Sequence, residues 1–533
     1  MKQTNNNIRI YLPILIAVAV VLGIVIGLSL SRKQIVQENM FLMPKSDKLN
    51  SVMRYINEEY VDTVDLSKLN EEAINAILKK LDPHSVYIPA EDVTAVNEPL
   101  EGNFSGIGVE FNMPQDTVVI INTIPNGPSA LLGIMPGDRI IKVNGKNVAG
   151  IKLPSDSIVK KLKGPRGTHV SVTILRRPNK TLVFDITRDK IPLYSIDVAY
   201  MADSSTGYIK INQFARTTYS EFTDAVNKLK NEGMKGIIID LRSNGGGFLD
   251  EAINLADEFL PNGQLIVYTK GKSHPRENYY ASNKGSLEKI KISILIDEFS
   301  ASASEILSGA IQDNDRGTII GRRSFGKGLV QEPIVFADQS MIRLTVARYY
   351  TPTGRCIQRS YSNGTDDYYA DIYSRFAHKE MLTADSIKFN DSLKYTTPAG
   401  KIVYGGGGIM PDIFIPIDTT GMTPYFDEVR DNGLIYRFAF EYSDNNRAKL
   451  NTFKDYKELL AYLEINNIVD LFVKYSEANG FKPNVNEIEI SKQLLSTYLN
   501  AYIVRNFFKN EGYYPVIGAI DNTLTRALEE MRK

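Results

Sequence analysis

The sequence predicts a multidomain chain built around an α/β layered core, with a β-rich module set ahead of that core and helical regions at both ends. Three observations carry this. The chain has 533 residues, and at roughly 150 residues per domain that suggests three or four domains. From about 191 to 415 strand-length apolar runs alternate with helical periodicity, the signature of stacked βα units. Between about 100 and 190 the texture is instead short strands and glycine turns. The expected divisions are 1–33, 34–99, 100–190, 191–415 with a polar insertion at 360–400, and 416–533.

Composition narrows the chemistry before any motif is considered. An apolar fraction of 43% supports real cores, and Lys+Arg 62 against Asp+Glu 62 leaves a formal net charge of zero. That balance gives no footprint for nucleic acid or another polyanion. One cysteine, Cys356, excludes an internal disulfide and reads as a packed thiol. No Cys/His cluster has zinc spacing, so no metal or other cofactor is expected.

The N-terminal segment Tyr11 to Leu30 runs twenty residues without a charge, about 30 Å as a helix and enough to cross a bilayer. Lys2 and Arg9 precede it; Arg32 and Lys33 follow. A cleaved signal peptide usually has an apolar core of only about 7–15 residues, which favours an uncleaved anchor, although Ser29-x-Ser31 passes as a weak cleavage site. Either way the bulk of the chain is expected outside the cytoplasm, in the cell envelope, and in the periplasm if the cell has an outer membrane. From Lys48 to Leu81 the apolar spacing is helical, and Leu81-Asp82-Pro83-His84-Ser85 ends it at Pro83. His84 reads as a structural loop residue.

In the next module, Phe104 to Phe111 carries a glycine-containing loop into a strand. Val118 to Ile121 is a second strand, and Pro128 to Gly133 a short helix with a glycine C-cap. Pro136-Gly137-Asp138 turns into the strand Arg139 to Val143, and Asn144-Gly145 signals a hairpin. A helix from about Ser155 to Leu162 and strands at 168–176 and 181–188 complete it. The loop Ser105-Gly106-Ile107-Gly108-Val109 and the run Gly133…Pro136-Gly137-Asp138-Arg139-Ile140…Val143-Asn144-Gly145 resemble a PDZ domain. Such a domain takes a peptide C-terminus as an added strand and holds its carboxylate with loop N–H groups. The resemblance implies peptide contacts at Gly106, Ile107, Gly108 and Val109.

Within the core, Gly207 to Phe214 reads as a strand, Thr218 to Glu232 as a helix, and Gly236 to Leu241 as a buried strand. Arg242-Ser243-Asn244-Gly245-Gly246-Gly247 follows as a turn. Its glycines suit either a tight turn or a cradle of N–H groups for an anion. The apolar run Ile292 to Ile296 leads into Ser300-Ala301-Ser302-Ala303-Ser304-Glu305, after which Ile306, Leu307, Ala310 and Ile311 recur at helical spacing. A serine at such a strand-to-helix turn projects where free N–H groups favour developing negative charge. Ser302-x-x-Glu305 equally fits a capping box, which needs no chemistry. Residues 360–400 read as an exposed, tyrosine-rich insertion. Beyond 425 apolar spacing at Leu459, Leu460, Leu463 and at Leu494, Leu495, Leu499 indicates helices for packing or interaction.

A serine nucleophile needs a base. None of the four histidines is near Ser302 in sequence, although triads assemble in space. Lys327, between two glycines and beside Leu329 and Val330, is the other option, provided burial keeps its amine neutral. In an extended segment Lys327 and Gln331 share a side, so the amide could orient the amine. Two overlapping patterns are weaker. Gly321-x4-Gly326-Lys327 lacks the Ser or Thr and the helix of a P-loop. Ser324-x-x-Lys327, with Ser443-Asp444-Asn445, echoes penicillin-binding enzymes but lacks K-T-G.

The combination of Leu81 to Ser85, the PDZ loop, Asp240 to Gly247, Ser300 to Ile306, Phe325-Gly326-Lys327-Gly328, Tyr350 to Arg355 and Gly407 to Asp412 resembles the carboxyl-terminal processing, or tail-specific, serine proteases. It spans about 48–415. The resemblance implies a βα-spiral core of the kind shared with crotonases and Clp-type peptidases, and cleavage of polypeptides with free C-termini. It implies Ser302 as nucleophile, Lys327 as base (327 − 302 = 25 residues on), Gln331 as its helper, and an oxyanion hole from Gly246 and Ala303. Gly245 stands where the family usually has proline, which leaves Gly246 and Gly247 both open. A catalytically inactive PDZ scaffold, a Ser-x-x-Lys acyl enzyme and a crotonase-like acyl-CoA enzyme are the alternatives. Homo-oligomerisation through the helical regions is a further expectation.

Overall fold

The structure, a computed structural model, describes residues 7–38, 48–113, 116–177 and 179–533. The chain separates into two units, Met1–Leu78 and Lys79–Lys533. The first holds the helices Asn7–Glu38, Lys48–Glu59 and Leu66–Leu78. Within the longest, Tyr11–Leu28 has a mean hydropathy of 2.8 and no buried residue. Lys2 lies outside the described residues.

The second unit is organised by a six-stranded sheet in the order Ile196–Met201, Thr206–Ile211, Gly236–Asp240, Lys291–Ile296, Thr318–Gly321, Ile413–Phe414. All neighbours are parallel except the first pair. Its central strands are mostly apolar because both faces are covered. Alternation divides them: Ile237, Ile239, Ile292, Ile294 and Ile296 face the helices Thr218–Asn231, Leu249–Asp257 and Ala303–Asp313. Ile238 and Leu295 point the other way, onto Leu524 and Ala527 of the C-terminal helix Asn522–Arg532. This last helix therefore completes the core around the six-stranded sheet rather than standing apart from it.

The parallel register sets Asp240 beside Leu295. The glycine turn after the one strand and the serine turn after the other consequently emerge side by side at the carboxyl edge of the sheet, where open α/β sheets place their ligands. A second, five-stranded sheet supplies the opposing wall. There Leu329–Val335 pairs with Met341–Tyr350, and Val86–Ile88 pairs with the latter's other edge. Residues from Lys79 onward thus belong with the second unit, and the expected helical region 34–99 is interrupted by the strand Val86–Ile88.

The module at 100–190 is a six-stranded sheet running Val109–Asn112, Val118–Thr123, Arg139–Val143, His169–Arg176, Lys180–Thr187, with Lys146–Asn147 on Arg139–Val143. Its core includes Ile107, Ile120, Ile140, Ile158 and Val172. Beyond 423 the chain is helical around Phe426, Leu459, Phe472, Leu499 and Ile503. That helical bundle also touches the β-module: Phe440 packs on Val119 and Ile121, and Asp444 pairs with Arg139. The segment 360–400 is mostly exposed, as expected, but it also docks a helix. It forms the helix Thr365–Ala377, which buries Tyr368 and Arg375 against Phe325 and Ser324.

Candidate active site

The outer serines of Ser300-Ala301-Ser302-Ala303-Ser304 are stitches. Ser300 Oγ donates to Leu241 O (2.8 Å), Ser304 Oγ to Asn244 O (2.9 Å), and the Ala301 N–H to Asn244 O (3.0 Å). Both serines are fully buried. They bind the serine turn to the glycine turn and leave Ser302 between them, half-buried, as the residue facing the cavity. Ser302 has φ 55° and ψ −114° at the start of the helix Ala303–Asp313, a conformation that costs a non-glycine residue about 1–3 kcal/mol and recurs at functional turns.

Glu305 shows that capping and chemistry are compatible here. The carboxylate lies at zero exposure. Its Oε2 accepts the N–H of Ser302 and the N–H of Lys327, both at 2.9 Å. Its Oε1 accepts the Gly326 N–H (2.7 Å) and the Ser324 hydroxyl. Burial raises its pKa, and these four bonds oppose the rise. Because every bond is donated to it, the pattern is that of the ionised form. Ser324 is thereby consumed: its hydroxyl, fully buried, also accepts the Ile409 N–H (2.6 Å). The Ser-x-x-Lys alternative fails on this geometry. Ser443 and Asp444 serve packing instead, bonding Ala439 O and Arg139.

Lys327 precedes the strand Leu329–Val335, and its Nζ donates to Gln331 Oε1 at 3.2 Å. The bulge in this strand pair skips Val346 on the partner strand, so the alternation from Lys327 to Gln331 is intact. Gln331 Nε2 in turn donates to the carbonyl of His84, which fixes the amide so that its oxygen faces the lysine. The turn behind that carbonyl is rigid. Asp82 accepts the N–H groups of His84 (2.8 Å) and Ser85 (2.9 Å), the Ser85 hydroxyl (2.6 Å) and the Thr345 hydroxyl (3.1 Å). Burial lowers the Lys327 pKa most, nearby Arg343 lowers it further, and Glu305 and Asp82 pull against them. Tyr349, fully buried, places its hydroxyl between Lys327 O (2.5 Å) and Ser302 O (3.1 Å).

Ser302, Lys327, Gln331, Gly246 and Gly247 line one cavity of about 640 Å³. The assignment of Gly246 as an oxyanion donor needs correction. Its N–H donates to Asn244 Oδ1 at 2.9 Å. A Cβ there would stand 2.7 Å from both Ala301 O and the Ser302 Cβ, so Gly246 is glycine to let the two turns touch. Gly247 is bracketed by hydrogen bonds of Phe214, which donates to Gly246 O and accepts from Phe248. In a parallel bridge that pattern turns the Gly247 N–H to the opposite side. Ala303 stands at the first position of its helix, where N–H groups lack intrahelical acceptors.

The loop Gly106-Ile107-Gly108 also has a definite geometry. Ile107 O accepts from Ser129 N (3.1 Å) and Oγ (2.6 Å), and Gly108 O from Ile124 N (3.0 Å). Gly108 needs its freedom: φ is +73° and a Cβ would press on Ile191. Val109–Asn112 ends the sheet order, so one of its edges is open for an added strand. The roles of Glu305, Tyr349 and the His84 carbonyl were not read from the sequence. Only Glu305 had a signal, its capping-box spacing.

A serine at a strained strand-to-helix turn, a half-buried lysine in the same cavity and a peptide-edge module together define a serine-type peptidase. Comparisons with known proteins agree. The profile of peptidase family S41 matches residues 205–368, that of the PDZ domain 95–175, and that of the activating protease CtpB N-terminal domain 28–92. A domain family of unknown function matches 425–509. A "Carboxy-terminal-processing protease" of Bartonella bacilliformis is 38% identical over 317 residues, 58% of this chain and 72% of that one. A "Probable CtpA-like serine protease" of Staphylococcus aureus is 35% identical over 369 residues, 67% and 73% of the two chains. The solved photosystem II D1 C-terminal processing protease is 23% identical, covering 70% and 94%, with a TM-score of 0.36. The chain belongs to peptidase family S41, with the carboxy-terminal-processing proteases.

Proposed function

We propose that this chain is a serine endopeptidase that cleaves polypeptides at or near their C-termini with a Ser302–Lys327 dyad. The observation that carries it is the placement of Lys327 Nζ in the cavity that holds Ser302, hydrogen-bonded to a neutral amide and depressed in pKa by burial. A neutral amine there takes the Ser302 proton as Oγ attacks the scissile carbonyl. The N–H groups of Ala303 and Gly247 stabilise the resulting oxyanion at the helix start. The Lys327 ammonium then returns the proton to the leaving amine, and water, deprotonated by the same lysine, releases the acyl group from Ser302. Gln331 keeps the amine aimed without adding charge.

The PDZ domain captures the substrate's terminal carboxylate at the Gly106–Gly108 loop and lays the tail along Val109–Asn112. The exposed apolar span Tyr11–Leu28 suits a membrane anchor, with the catalytic unit outside the cytoplasm. The test compares the unmutated chain with Ser302→Ala on an unstructured protein bearing an apolar C-terminal tail. Cleavage by the former only is expected; equal cleavage by both would overturn the assignment.

A further inference from the structure

A second cavity, of about 280 Å³, opens where the helix Thr365–Ala377 begins, and it has a chemistry that peptide cleavage does not use. Arg323, Arg359 and Arg375 line it. These three guanidinium groups share two carboxylates: Arg323 pairs with Glu380, while Arg359 and Arg375 both reach Asp371. One positive charge is left over in the interior. Asp367 lies at the rim and is exposed to water, which screens it.

Hydrogen bonding is incomplete in the same place. Arg359 is 5% exposed, yet among the described residues its Nε and one terminal nitrogen have no acceptor, and neither does the Nε of Arg323. Buried donors are almost always satisfied, and leaving one on a charged group is costly. Arg359 has no easy escape to solvent. Its guanidinium lies over the rings of Phe325 (4.0 Å) and Tyr368 (3.9 Å) and is tethered to Asp371. Gly364, the N-cap of the helix with φ +101°, lines the cavity too. The helix spans 13 residues, and its first-turn N–H groups bring the positive end of the helix dipole to the same space.

We infer that this cavity binds a small tetrahedral oxyanion of the phosphate or sulfate class, held by Arg359, Arg323 and the N-terminus of the helix Thr365–Ala377. The donors are two guanidinium groups from separate parts of the chain and a helix start, which suits a four-cornered acceptor better than a planar carboxylate. The volume admits an inorganic anion or one terminal phosphoryl or sulfo group. The site lies directly behind the general-base segment, since Arg375 donates to Ser324 O (2.8 Å) and Phe325 O (3.2 Å).

The experiment follows thermal unfolding of the full chain in a nonionic detergent during titration with inorganic phosphate, with chloride at matched ionic strength as reference. Non-specific stabilisation by phosphate rises without saturating. A bound ion should instead raise the midpoint saturably, by roughly 2–5 °C at millimolar phosphate. Arg359→Gln should abolish the saturable part, and Arg323→Gln should weaken apparent affinity by about 10-fold or more, the value of one charge-assisted bond. If Arg359→Gln does not fold, Arg323→Gln decides, together with phosphorus NMR line broadening in the unmutated chain. No saturable shift or broadening in the unmutated chain, or equal shifts in the chain and its variants, would overturn the site. A response to acetate as strong as that to phosphate would contradict the tetrahedral class.

Discussion

Glu305 and Lys327 are joined by a hydrogen bond of 2.9 Å from the lysine's backbone N–H to the glutamate's Oε2, the oxygen that also accepts the Ser302 N–H. The acid that caps the helix after Ser302 is therefore also the anchor of the Lys327 segment. One carboxylate sets the spacing of the two residues proposed as the dyad.

Glu305→Gln tests that relationship. An amide keeps one acceptor oxygen and points an NH2 at donors, so at least two of the four bonds are lost. Each is worth about 1.5–3 kcal/mol when the acceptor is charged. The variant should unfold at lower temperature and lose at least about 10-fold in kcat, with a smaller change in KM, because dyad geometry suffers more than substrate binding. Calorimetry and steady-state kinetics on one preparation check both.

Ser302→Ala and Lys327→Ala should each abolish turnover with the fold retained, and the double variant should be no worse, since members of one catalytic unit fail non-additively. Ser324→Ala should separate the two properties. It removes the acceptor of the buried Ile409 N–H and should cost about 1–3 kcal/mol of stability, yet retain measurable cleavage. A dead Ser324→Ala that folds like the unmutated chain would contradict the assignment.

The pH profile follows from signs. Burial lowers the Lys327 pKa, and the active form is the neutral amine, so kcat/KM should rise with pH through an apparent pKa below that of a free lysine. His84 sits beside this group with its pKa pushed down to about 4, by burial first and by Lys327 second. It stays neutral at and above neutrality, and no limb is expected near pH 6.5. A rate flat from pH 6 to pH 9, with chemistry rate-limiting, would exclude a lysine titrating there.

That Ser302, Lys327 and Gln331 would line one cavity was legible because their spacing and glycine-rich flanks survive in one dimension. What closes the site was not. The Gly246 N–H is taken by Asn244 Oδ1, a bond set by how a two-residue turn curls. The insertion 360–400 is mostly exposed, as its polarity suggested, yet its helix buries Tyr368 and Arg375, whose polar groups find partners in His84, Ser324 and Phe325. Composition reports the cost of burial and is silent about the partners that offset it. The helix Asn522–Arg532 had an apolar stripe that periodicity could show, yet that it covers the protease sheet is a fact of long-range packing. Strand and helix positions in the core were readable, since parallel strands buried on both faces leave continuous apolar runs.

Tail recognition should depend on the free carboxylate. A substrate with an apolar C-terminus should be cut faster than its amidated form, by tens-fold or more at subsaturating substrate, if two charge-assisted bonds are lost. Gly108→Val should erase the difference, because φ at that position is +73° and a side chain would press on Ile191. Gly106→Val should do so as well, by displacing the Phe104 ring that a Cβ would meet at 2.8 Å. Short peptides that bypass the PDZ domain should be cleaved equally by all. Equal cleavage of free and amidated tails by the unmutated chain would remove carboxylate capture from the mechanism.

The most direct measurement of the central claim is the rate at which a fluorophosphonate labels the chain as a function of pH, with the adduct mapped by mass spectrometry. A single adduct on Ser302 is expected, formed at a rate that rises with pH in the unmutated chain and collapses in Lys327→Ala. An adduct on Ser324, or a Lys327→Ala variant labelled on Ser302 as fast as the unmutated chain, would contradict the Ser302–Lys327 dyad.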